Sequence, residues 1–126
     1  MRIRNDAEVP AAPVEMAGAK GVRKQVLLGP EDGSHLIVVR CFTVAPGGHT
    51  PRHQHGYEHL VRVLSGHGTA VDGKGAEHAL EPGRNIFVAP DEEHQFVNRG
   101  NEPFVFTCTI MNPEAPRPEG YSGQAY

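Results

Sequence analysis

The chain lacks most of the features that would settle a protein's class at a glance. It has two cysteines, Cys41 and Cys108, in 126 residues, too few for a disulfide scaffold. The longest apolar run near its middle, Leu36 to Val39, stops at Arg40, far short of the about 18 residues a membrane-spanning helix needs. The opening MRIRNDAEVP carries acids and a proline and lacks the apolar stretch of a signal peptide. No basic surplus exists, because 12 Lys and Arg face 15 Asp and Glu for a net charge of −3. A phosphate backbone is therefore not an expected partner. Residues 1–20 and 113–126 are each too short to hold a separate DNA-binding domain. These absences predict one cytoplasmic domain with neither a nucleic-acid nor a membrane partner.

What the chain does have is turn residues and histidine. Gly 15 and Pro 11 make up about a fifth of it, beside 38% hydrophobic residues, enough apolar material for one modest core. From Gly21 onward, short runs of β-formers alternate with turn signals. Strands are predicted at Lys24–Leu28, His35–Val44, His53–His55, Glu58–Leu64, Gly68–Val71, Ala76–Leu80, Ile86–Val88, His94–Asn98 and Phe104–Ile110. Gly-Pro at 29–30, Pro-Gly-Gly at 46–48, Asp-Gly at 72–73 and Pro-Gly at 82–83 are among the breaks, each supplying a fixed or a positive φ. Such a rhythm predicts an all-β sandwich or small barrel. Its bounds are a 1–20 N-terminal arm, a 21–112 barrel and a 113–126 C-terminal tail.

Eight histidines are present, four of them between His49 and His59. Strand alternation would put His53 and His55 on one face, with Cβ atoms about 6.5–7 Å apart. His59 follows four residues later, past Gly56, and His94 opens another predicted strand. Three neighbouring imidazoles and a distant one, on β elements, form a metal-site pattern. A solvated, turn-flanking histidine cluster is the alternative.

These residues also fit a known motif, and here the sequence resembles the cupin superfamily. The first cupin motif reads Gly47, five residues, His53-Gln54-His55, three residues, His59, six residues, Gly66. The second runs from Pro82-Gly83 to His94-Gln95-Phe96-Val97-Asn98, with its usual Pro-x-Gly turn shifted to Ala89-Pro90-Asp91. Most cupins carry a metal-binding Glu where His59 stands. Glu58 is one residue out of register and would face the other side of the strand. Together with KGVRKQVLLG at 20–29 and YEHLVRVLSG at 57–66, this is similar to the small four-histidine, manganese-type cupins. The resemblance implies a jelly-roll (double-stranded β-helix) barrel and one divalent transition metal per chain on His53, His55, His59 and His94. Manganese is the expected ion, and imidazole suits Fe, Cu, Ni, Co and Zn as well. It further implies a homodimer with swapped amino-terminal strands, and a metal-dependent enzyme of dioxygenase type that oxidatively cleaves a small oxygen-bearing molecule. The alternatives are an isomerase or lyase, and a non-catalytic small-ligand-binding cupin.

Four neutral imidazoles leave a dication uncompensated, so the expected ligand is anionic or enolizable. Arg40 shares a strand face with Val38, Phe42 and Val44, where a charge must be paired or face a cavity. It is a candidate catalytic residue as an anion clamp, the alternative being a salt bridge or dimer contact. Cys108, alternating with Phe104, Phe106 and Ile110, is the second candidate, the alternative being an inert buried thiol. Thr50 and Tyr57 flank the histidine turn. Asn98 is expected to hydrogen-bond within its turn, and His35, His49, His67 and His78 to lie on the surface or in turns.

Overall fold

A computed structural model describes residues 1–116. Nine strands follow one another: β1 (Ala12–Pro13), β2 (Lys20–Leu28), β3 (Ile37–His49), β4 (His59–Ser65), β5 (Gly68–Val71), β6 (Glu77–Leu80), β7 (Asn85–Val88), β8 (Gln95–Val97) and β9 (Phe104–Met111). They form one curled antiparallel sheet in the order β6-β5-β8-β3-β9-β4-β7, with β2 also on β3 and β1 on β2. This is the expected all-β jelly roll. Among the described residues, no helix is long and apolar enough to cross a membrane.

Side-chain alternation builds the core. Along β9, Phe104, Phe106, Cys108 and Ile110 are buried while Val105, Thr107, Thr109 and Met111 are half-buried. Val61 and Val63 point inward from β4 between exposed Leu60, Arg62 and Leu64. The Phe106 ring lies 4.8 Å from Phe96, 5.2 Å from Phe104 and 5.5 Å from Phe42, centroid to centroid. Burial of each such ring stabilises the fold by about 1.5–3 kcal/mol.

Two expectations need correction. Pro46-Gly47-Gly48 does not end a strand: β3 runs through it to His49. Opposite this stretch the register jumps from Val22↔Val44 to Lys20↔His49, so the extra residues form a bulge. A Cβ on Gly48 would stand 2.5 Å from the Lys20 carbonyl oxygen, and only glycine lets the two backbones pass. The other correction concerns His53–His55, which is no strand. His53 makes a single bridge, to His94, through Nα–H bonds of 3.2 and 2.9 Å. Pro51, with no N–H to give, interrupts the ladder after Thr50 donates to Phe96.

The amino-terminal residues hold more structure than their composition suggests. Ala12 and Pro13 pair with Lys24 and Arg23, the Gln25 amide donates to the carbonyls of Asp6 and Val9, and Arg4 pairs with Asp32. Most of the expected 113–126 tail lies outside the described residues.

Candidate metal centre

Four histidines reach one cavity from three places in the chain. His53 and His55 come from the loop after β3, His59 from the first residue of β4, and His94 from the residue before β8. Ring centroids of His53 and His55 lie 4.2 Å apart, those of His53 and His94 5.1 Å, and those of His59 and His94 4.9 Å. The ligand atoms of His53, His55 and His94 fall within 4.8 Å of one another. His59 is the deepest of the four, and its Nε2 is buried without a hydrogen-bond partner. Glu58 does not line the cavity.

The electrostatics favour the neutral form of His53, His55 and His59. Burial, then the neighbouring His55, His94 and Arg40, push His53 down to about 4. Burial, followed by His94 and Arg40, pushes His59 down to about 3. His55 is lowered by the same burial and like charges. Neutral imidazoles offer lone pairs. The His94 Nδ1 donates to the Glu92 carbonyl at 2.8 Å, which in the neutral tautomer puts the lone pair on Nε2. An all-imidazole donor set with an orphaned buried nitrogen fits a divalent transition ion.

The cavity encloses about 150 Å³, and Arg40 and Cys108 both line it. The Arg40 guanidinium sits 5.1 Å from the Phe42 ring centre and donates through Nη2 to Cys108 Sγ at 3.1 Å, while its Nε is buried without a partner. No carboxylate pairs with Arg40 among the described residues. Burial raises the Cys108 thiol, against the opposing pull of Arg40. Tyr57 stacks on His55 at 4.9 Å and 7°, and burial raises its phenol, so it stays protonated. Thr50 is tied to the Phe96 backbone at 2.8 Å. His78 stands outside, paired with Asp72 at 2.8 Å.

Sequence reasoning did not place Lys24, Val14 or Met16 in the cavity wall, where all three lie. Lys24 had a signal, since it follows Val22 at the two-residue period of a strand face. Val14 and Met16 had none, because no periodicity marks their segment.

Comparison with known proteins agrees with this fold. The cupin domain signature matches residues 40–110. A 1-methylthio-D-xylulose 5-phosphate methylsulfurylase of Rhodospirillum rubrum is 33% identical over 101 residues, 79% of this chain. The match spans 62% of that relative's length. A polyketide cyclase of Streptomyces resistomycificus superposes with a TM-score of 0.84 at 31% identity, over 88% of this chain and 79% of the cyclase. A sugar phosphate isomerase of Silicibacter pomeroyi superposes with a TM-score of 0.65 at 25% identity, over 73% of this chain and 60% of the isomerase.

Proposed function

The chain belongs to the cupin family, and we propose that within it this is a metal-dependent enzyme that cleaves a small anionic or enolizable molecule in a dioxygenase-type reaction. His53, His55, His59 and His94 would hold one divalent ion, manganese on the four-histidine resemblance. When bound, the ion would supply a Lewis-acid charge that favours the enolate or carboxylate form of a ligand.

One observation carries the substrate class: the cavity holds a positive charge with no counter-ion. Arg40 is charged at any working pH, no carboxylate pairs with it, and no Asp or Glu lines the cavity among the described residues. An anionic ligand would provide the missing charge. Lys24 adds to the same field, and Phe42, Phe96 and Phe106 keep the dielectric around it low. By their names, the methylsulfurylase and the isomerase act on phosphorylated sugars, which accords with an anionic ligand here.

The lack of a carboxylate also bears on the reaction. Proton-transfer enzymes need a positioned base, and beside Arg40 and Lys24 this cavity offers the histidine cluster, a protonated Tyr57 and a tethered Cys108, with no carboxylate among the described residues. Oxidative cleavage makes a smaller demand, because each carbon of the broken double bond takes one oxygen atom from dioxygen. Isomerase or lyase chemistry is the second reading, favoured by the names of the cyclase and the isomerase.

Elemental analysis of the purified protein followed by turnover of β-diketones and small hydroxy acids, under air and under nitrogen, separates these readings. Turnover under air alone is the expected result. Equal turnover under nitrogen would select the isomerase or lyase, and none under either gas a binding cupin. The homodimer belongs to the same reading, with the exposed part of the β2 edge now beyond the pairs that β1 makes with Arg23 and Lys24. Light scattering at about 14 kDa would refute it.

A further inference from the structure

We infer that Cys108 is a positioning residue: its sulfur accepts the Nδ1–H of His59 and so keeps the lone pair of that ring on its buried Nε2, free to bind an ion in the cavity. Cys108 Sγ lies 3.3 Å from His59 Nδ1 and 3.1 Å from Arg40 Nη2. Arginine can only donate, so the sulfur is already an acceptor on one side. Two arrangements of the remaining hydrogens are open. In one, the thiol S–H donates to Nδ1, and His59 must carry its proton on Nε2. That N–H would then be a donor in a residue only 6% exposed, at an atom with no acceptor in reach. A buried unsatisfied donor is costly. In the other, Nδ1–H donates to the sulfur and the S–H is left unpaired, which costs little because a thiol is a weak donor. The second arrangement also leaves a lone pair, not a hydrogen, on the buried Nε2 of a ring centred 4.9 Å from that of His94.

The two buried ligands are thus oriented by different acceptors. His94 gives its Nδ1–H to a backbone carbonyl, which no substitution removes. His59 gives its own to a side chain on β9, held in turn by Arg40 from β3. The orientation of the deepest ligand therefore depends on residues that hold no metal.

This assignment concerns the metal-free ring, and its consequence for metal uptake rests on the reading above. The test is long-range ¹H–¹⁵N correlation of the metal-free protein, with Co²⁺ titration as a second readout. Expected are the Nδ1–H tautomer of His59 in the parent chain and in Cys108→Ser, whose hydroxyl also accepts. In Cys108→Val the Nε2–H form should grow, with Co²⁺ affinity about 10–100-fold lower. An Nε2–H tautomer in the parent chain would overturn the inference, as would a Cys108→Val spectrum identical to the parent's. A parent chain that takes up no Co²⁺ would defeat the metal reading alone, since the tautomer is read without metal.

Discussion

Val44 and Arg40 stand four residues apart on β3, and opposite them on β9 stand Phe104 and Cys108, also four apart. The two stretches of one ladder could hardly differ more. Around Val44 and Phe104, both fully buried, the buried Asn98 side chain is satisfied: it donates to the carbonyls of Val44 and Glu102 and accepts from the Gly100 N–H. Around Arg40 and Cys108, one guanidinium nitrogen and one imidazole nitrogen are buried without partners. The same backbone geometry thus carries a closed core and an open site. The difference is whether polar atoms have been given something to bind.

The sharpest way to separate the two stretches is acid, which should have the largest effect because two groups act together. His53 and His59 have folded-state values of about 4 and about 3, against an ordinary value near 6.5. Above about pH 6.5 both rings are neutral in either state and contribute nothing. Below it the unfolded chain takes up protons that the folded chain refuses, so stability falls until about pH 3–4. Urea unfolding of metal-free protein should show this loss, and His59→Gln should reduce it.

Next come substitutions in the closed stretch. Phe104→Ala should cost about 4 kcal/mol, and Asn98→Ala about 2 kcal/mol, since it strands the buried Val44 carbonyl and opens the cap on the part-buried Glu102 carbonyl. Both are read by urea unfolding, and folded Asn98→Ala should keep its full metal stoichiometry.

His59→Ala breaks the open stretch instead. Metal affinity in a Co²⁺ or Mn²⁺ titration should fall at least about 100-fold, more than the loss of an outer partner, while Glu58→Ala should change nothing. If Glu58→Ala lowers affinity as much, the ligand register is wrong.

The smallest effect sharpens the charge argument. Arg40→Met should leave stability within about 1 kcal/mol, because it removes an uncompensated charge along with its contacts. Binding of a small carboxylate to the metal-loaded protein should weaken about tenfold, or about 1.4 kcal/mol, with a neutral alcohol of similar size unaffected. His59→Glu should weaken the carboxylate in the same direction.

Much of this contrast is legible in the sequence. Alternation alone puts Phe104, Phe106, Cys108 and Ile110 on one face, and the bounds of β5 agree at both ends, Gly68 and Val71. The histidine spacing points to four residues that do line one cavity, though only His53, His55 and His94 bring their ligand atoms within 4.8 Å of one another, and the reason read from alternation is partly wrong. His53 and His55 converge from a loop pinned by one bridge, because Pro51 breaks the ladder that alternation presupposes. Pro46-Gly47-Gly48 reads as a stop, and only the partner strand shows that it is a bulge. The link between Cys108, His59 and Arg40 joins residues 49 and 68 positions apart, which no local pattern encodes.

The leading segment has a consequence for how specificity can change in such a barrel. Val14 and Met16 form part of the cavity wall, yet they precede the 40–110 stretch that carries the family match and all four histidines. Part of the cavity wall is therefore contributed from outside the stretch that carries the histidines. Drift or grafting in the first twenty residues could reshape that side of the cavity while the four histidines stay untouched.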